Sequence, residues 1–208
     1  MNILSAIIAL IILIFSAILH EIAHGYAAER LGDPTARLAG RLTLNPKNHI
    51  DPLMSIALPL ILLISGSPII IGAAKPIPVD PFNLRDGRKD LALVSLAGPL
   101  TNVALAIVAG LILKVILNFS LAMPGVLYLI LAGIVHLNLL LAIFNLLPIP
   151  PLDGSKIFAL LLPEKLANAY LSLGSIGIFI IFFLLMSSNG LQELIFSLLS
   201  FSEKLLGL

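Results

Sequence analysis

Long apolar runs separated by short polar connections dominate this chain. The runs cover residues 3–24, 53–71, 90–117, 126–147 and 170–187. Each is near the ~20 apolar residues that a helix needs to cross a bilayer. The tail at 191–208 differs, because apolar positions alternate there with Gln192, Glu193, Ser197, Ser200, Glu203 and Lys204. That pattern predicts an amphipathic helix at the membrane interface. The run 53–71 is broken at Pro59 and at Ser65-Gly66-Ser67-Pro68. Residues 36–46 place Leu38, Leu42 and Leu44 at period two around Gly40, which predicts a small β-hairpin. The expected architecture is an all-α polytopic membrane protein in one domain, residues 1–208. It has about four spans, a re-entrant segment, the hairpin and the interfacial tail helix.

Charge orients these segments. Arg30, Arg37, Arg41 and Lys47 follow the first run, and Lys75, Arg85, Arg88 and Lys89 follow residue 71. Lys156 and Lys165 lie in 154–169, while 118–125 carries no charge. The excess of basic residues on cytoplasmic loops puts 25–51, 72–89 and 154–169 inside the cell. Segment 53–71 must then enter and leave on one face, which its prolines and glycine permit if protein shields its backbone. The start of the chain lacks the basic stretch and cleavage site of a signal peptide, so 3–24 is expected to be retained.

Composition narrows the chemistry. The chain is 59% hydrophobic and 11% charged, with a mean hydropathy of +1.11, outside the balance of a soluble domain. A net charge of +1 without a basic stripe excludes a nucleic-acid footprint. No cysteine is present, so thiolate metal sites, disulfides and cysteine nucleophiles are excluded.

His20-Glu21-Ile22-Ala23-His24 ends the first run. On a helix, residues i and i+4 share a face, so two imidazoles can share one zinc, with the intervening Glu21 placed to take a proton from water. Ionisable groups in an apolar helix cost about 2.5–3.5 kcal/mol each on insertion scales, which makes a functional role the default reading. A catalytic zinc needs a third protein ligand. His49, His136 and the carboxylates are the candidates. Asp33, Asp51, Asp80 and Asp86 read as solvated turn residues. Asp153 stands apart, between an apolar span and an apolar run, after Pro148, Pro150 and Pro151 and before Gly154. The prolines open the helix, and Gly154 allows a tight turn after the acid. Asn145, just before that break, either binds a substrate peptide group or caps loose carbonyls. Asn102 poses the same question, with helix packing at Gly98-Pro99 as its simpler role.

These motifs together resemble the site-2 protease family of intramembrane zinc metalloproteases, in a compact form without PDZ or CBS domains. The resemblance rests on His20-Glu21-Ile22-Ala23-His24, Gly98-Pro99-Leu100-Thr101-Asn102, and Asn145 through Asp153-Gly154, with 72–79 similar to a family linker. It implies that His20, His24 and Asp153 hold one Zn2+ per chain, that Glu21 is catalytic and that Asn145 faces substrate. It further implies a multi-pass protein of the cell membrane that cleaves transmembrane proteins from a site facing the cytoplasm. The alternatives are a divalent-metal transporter, which needs a conducting path and more intramembrane ligands than one compact set, and a catalytically silent scaffold, which has no need of Glu21 between the two histidines.

Overall fold

In a hydrocarbon solvent every backbone N–H and C=O must be paired within the chain, and helices achieve this locally. A computed structural model describes residues 3–49, 57, 61, 75–187 and 189–207. Among these the chain is helical throughout, with no strand. Helix α1 is Ile3–Arg30, α2 Thr35–Leu38, α3 Gly87–Asn118 and α4 Gly125–Asn145. After the proline segment come α5 Asp153–Phe158, α6 Glu164–Leu171, α7 Gly174–Ser187 and α8 Asn189–Leu206. Three of these, α1, α3 and α4, are long and apolar enough to cross a membrane, and α7 with α8 make a fourth if taken as one bent span.

The three long helices pack on one another. Small residues on α3 let the backbones approach: Ser95, Gly98, Asn102, Ala106 and Ala109 are all buried at spacings of three or four. The core joins Ala106, Ala109 and Leu113 of α3 to Leu131, Val135 and Leu139 of α4. Leu199 of α8 enters the same cluster, so the tail helix, expected at the interface, buries part of its apolar face in the bundle. Outward-facing Leu10, Ile14, Ile107, Leu111, Leu129 and Phe183 are exposed, leaving the apolar belt that lipid would cover.

The expected hairpin at 36–46 does not form. Thr35–Leu38 is one helical turn instead, closed by Gly40 at φ 63°. Gly40 N–H donates to the Arg37 carbonyl and Arg41 N–H to the Ala36 carbonyl, which is the two-bond closure of a helix C-terminus. Leu38 and Leu44 are exposed, so the period-two leucines line no common face. Residues 53–71, expected to re-enter the membrane, lie outside the described residues except for Ala57 and Ile61. On either side of them, Lys75 N–H donates to the His49 carbonyl at 2.8 Å, so the chain departs and returns at the same end of the bundle.

Asp33 is another correction. Expected as a solvated turn residue, it is 0% exposed. It accepts from Thr35 N–H (3.1 Å), Thr35 Oγ1, Asp80 N–H (2.8 Å) and Asn83 Nδ2 (3.0 Å), tying the connection after α1 to the one before α3. Burial pushes its pKa up, but the bonds from Thr35, Asn83 and Asp80 outweigh this and hold it below the ordinary carboxylate value. A depressed folded pKa means that the stabilisation is complete above the unfolded value of about 3.9 and is lost as pH falls through the folded value. Asp33→Asn should therefore destabilise the protein at pH 7 by roughly 1.5–3 kcal/mol, the worth of a hydrogen bond to a charged group. Thermal unfolding in detergent at pH 7 and pH 3 checks this, with the gap between parent and variant narrowing at the lower pH.

Candidate metal centre

The last turns of α1 carry His20 and His24 on one face, four residues apart and both buried. The opposite wall comes from the chain after α4. Pro148 ends that helix two residues beyond its Leu146 cap, and the chain turns back so that Asp153 begins α5. Gly154, expected to allow a tight turn after the acid, is helical here. Its role is close approach, since a Cβ there would lie 2.1 Å from the Leu146 carbonyl oxygen.

Three donor atoms converge. His20 Nε2 lies 3.1 Å and His24 Nε2 3.2 Å from Asp153 Oδ2, and the two Nε2 atoms are 3.0 Å apart. Among the described residues His20, His24 and Asp153 are the one group of three or more whose ligand atoms lie within 4.8 Å of one another. His24 Nδ1 is 2.7 Å from the Val94 carbonyl on α3. A carbonyl only accepts, so Nδ1 carries the hydrogen and Nε2 presents its lone pair to the cluster. Asp153 Oδ1 accepts from Lys156 Nζ at 3.2 Å, which leaves Oδ2 alone facing the imidazoles. Two imidazole nitrogens and one carboxylate oxygen form a donor set suited to zinc with a position left open.

Space for the rings comes from α3. A Cβ on Gly98 would lie 2.6 Å from Cε1 and Nε2 of His20 and 2.6 Å from Cε1 of His24. Gly98 was legible as a packing residue, but the partner it admits, the histidine pair, was not.

The donors open onto a cavity of about 450 Å³ lined by α1, α3, the end of α4, α5 and the segment 75–79. Glu21 lines it, half-buried, with Oε2 accepting from Ile77 N–H at 2.7 Å. Asn145 lines it too, while its Nδ2 donates to Leu141 O at 3.0 Å, so the amide caps its own helix and shares the cavity wall. Asn102 is fully buried on α3 and is not part of the lining; its amide has no partner among the described residues. The other histidines are engaged elsewhere: His49 Nε2 with the Thr43 carbonyl at 2.7 Å, and His136 Nδ1 with Glu203 at 2.8 Å. Sequence reasoning missed Val94, Ile77 and Lys156. Only Lys156 left a readable signal, a cation one helical turn after Asp153.

Comparison with known proteins points the same way. The pattern of Peptidase family M50 matches residues 116–188, a stretch containing Asn145 and Asp153. The candidate zinc metalloprotease YwhC of Bacillus subtilis is 38% identical over 182 residues, covering 84% of this chain and 78% of that protein. The candidate zinc metalloprotease Rip2 of Mycobacterium tuberculosis is 37% identical over 139 residues, 67% of this chain and 51% of the relative. A third, MJ0611 of Methanocaldococcus jannaschii, is named in the same way and is 50% identical over 64 residues, 31% of each chain. No solved structure gives a significant match.

Proposed function

This chain belongs to peptidase family M50, and from that premise we propose that it is an intramembrane zinc endopeptidase that cleaves transmembrane protein substrates. The observation carrying this reading is the convergence of His20, His24 and Asp153 beside Glu21, at a cavity in one end of an apolar bundle. His20, His24 and Asp153 would hold one zinc. When bound, zinc supplies the Lewis acidity that makes water nucleophilic near neutral pH and polarises a peptide carbonyl.

The chain's own groups do the rest. Glu21 takes the proton of the attacking water and then delivers it to the leaving amine. Val94 O fixes the tautomer of His24, and Lys156 keeps Asp153 presenting a single oxygen. Asn145, on the cavity wall with its Nδ2 already committed, has its carbonyl oxygen to offer an N–H of an extended substrate. The ends of α1 and α4 and the start of α3 meet here, among the basic connections, which supports a multi-pass protein of the cell membrane with its site towards the cytoplasm. Water reaches the site from that end.

The test is purified protein in detergent with a panel of single-span peptides. Cleavage that a chelator abolishes and zinc restores is expected; cleavage indifferent to chelation would overturn the reading. Asp153→Ala should retain less zinc by elemental analysis, because two imidazoles are left to hold an ion suited to three ligands. Full zinc in that variant would remove Asp153 from the site.

Substrate choice should follow helix stability, since a helix hides its carbonyls in its own hydrogen bonds. Gly or Pro weakens a helix by about 1 and 3 kcal/mol relative to Ala. Peptides carrying them near the scissile bond should be cleaved faster than their Ala or Leu counterparts, and Asn145→Ala should slow both. Equal rates for loosened and stiffened peptides would rule out unwinding as the selective step.

A further inference from the structure

The segment 75–79 lines the cavity as a strap without helix or strand. It is anchored at both ends. Lys75 N–H donates to His49 O at 2.8 Å, and Asp80 N–H, just past the strap, donates to Asp33 at 2.8 Å. Between these anchors Ile77 is buried, and its Cδ1 sits 3.3 Å from where a Cβ on Gly25 would stand, so the strap lies directly on α1 beside His24. Among the described residues its one hydrogen bond to the reacting groups is from the Ile77 N–H to Glu21 Oε2.

The sequence makes that contact unique in register. Pro76 and Pro78 carry no N–H, so a slip of one residue in either direction would leave Glu21 without a donor. The strap is clamped from outside by Arg41. Arg41 is 8% exposed, and its guanidinium donates through one nitrogen to the Lys75 carbonyl at 2.7 Å and the Pro76 carbonyl at 3.3 Å. Among the described residues Arg41 has no carboxylate partner, and its Nε is buried without an acceptor. A buried cation whose partners among the described residues are all backbone carbonyls is costly as a mere structural brace.

We infer that Arg41 is a positioning residue for proteolysis: by clamping the Lys75 and Pro76 carbonyls it sets the Ile77 N–H on Glu21. The bond ties one carboxylate oxygen and so orients the other towards the water. This rests on the reading of Glu21 as the proton acceptor. A misplacement of the order of 1 Å in a reacting group costs about 10²-fold in rate. Loss of the clamp should therefore lower kcat and leave substrate affinity and zinc in place.

Hydrogen exchange of the full chain in detergent reads the clamp without any substrate. Residues 76–78 carry one exchangeable backbone amide, that of Ile77. It should exchange slowly in the parent and about ten- to a hundredfold faster in Arg41→Gln and in Glu21→Ala, as a bond to a charged acceptor is lost. With the panel peptide that the parent cleaves fastest, Arg41→Gln should lower kcat about 10- to 100-fold with KM within about twofold. Arg41→Lys, which can still donate to a carbonyl, should recover part of the loss. Ile77→Pro, which deletes the donor itself, should match Arg41→Gln, and the double variant should be no slower than Ile77→Pro. Unchanged exchange at Ile77 in Arg41→Gln, multiplying losses in the double variant, or zinc loss in Arg41→Gln would each overturn the inference. Glu21→Gln separates it from its premise: if that variant cleaves normally the reading of Glu21 falls, whereas an inactive Glu21→Gln beside a fully active Arg41→Gln sinks the strap alone.

Discussion

Glu21→Gln should lower turnover by about 10²–10⁴-fold while zinc stays bound. The substitution is nearly isosteric, and the Gln carbonyl oxygen can still accept from Ile77 N–H, so the strap keeps its seat. Only the capacity to take up a proton disappears. His20, His24 and Asp153 are untouched, so elemental analysis should return the parent's zinc content. Turnover measured on the panel peptide cleaved fastest, together with that zinc content, decides the matter. A variant that keeps both zinc and full turnover would mean that another group accepts the proton. Loss of turnover with loss of zinc would mean that Glu21 acts on the ion's retention and not on the proton.

Gly98→Ala should weaken zinc retention about 10- to 100-fold, the range seen when groups that orient metal ligands are disturbed. The new Cβ would stand 2.6 Å from atoms of both imidazoles. Neither ring is a loose end free to swing away: His24 is held by Val94 O at 2.7 Å, and both sit in the packed contact of α1 with α3. Ala favours a helix over Gly by about 1 kcal/mol, so α3 itself gains intrinsic stability from the change. The two effects oppose each other and can be read separately. Zinc content after competition with a chelator should fall, while helix content by circular dichroism holds. Full zinc in Gly98→Ala would show that the histidine pair yields to the methyl group without losing its geometry.

Much of the helical framework was legible because a bilayer-length apolar run leaves the backbone few options. The runs at 90–117 and 126–147 became Gly87–Asn118 and Gly125–Asn145, the latter ending just before Pro148. The run from 170 was less regular: Glu164–Leu171 and Gly174–Ser187 are separate helices. The hairpin misread has a clear origin. Three leucines at period two around a glycine fit a strand pair, but Gly40 with a left-handed backbone equally closes a helical turn. The turn prevailed because Ala36 is buried against α1, where a Cβ on Gly25 would stand 3.1 Å from that of Ala36. Local pattern could not report that contact.

His20, Glu21, His24 and Asp153 stood out in sequence because ionisable side chains are expensive in apolar surroundings and so advertise themselves. The i, i+4 spacing alone fixed that the two imidazoles share a face of α1. That Asp153 meets them, 133 positions beyond His20, was decided by the packing of α4 against α1 and of α5 against α3. Tertiary structure also chose the Val94 carbonyl for His24, the Ile77 N–H for Glu21 and the burial of Asp33. These partners are backbone groups or turn residues, and their like occurs all along the chain. A carbonyl or an amide carries no mark of its own in a sequence; its role comes only from what the fold sets within hydrogen-bonding reach.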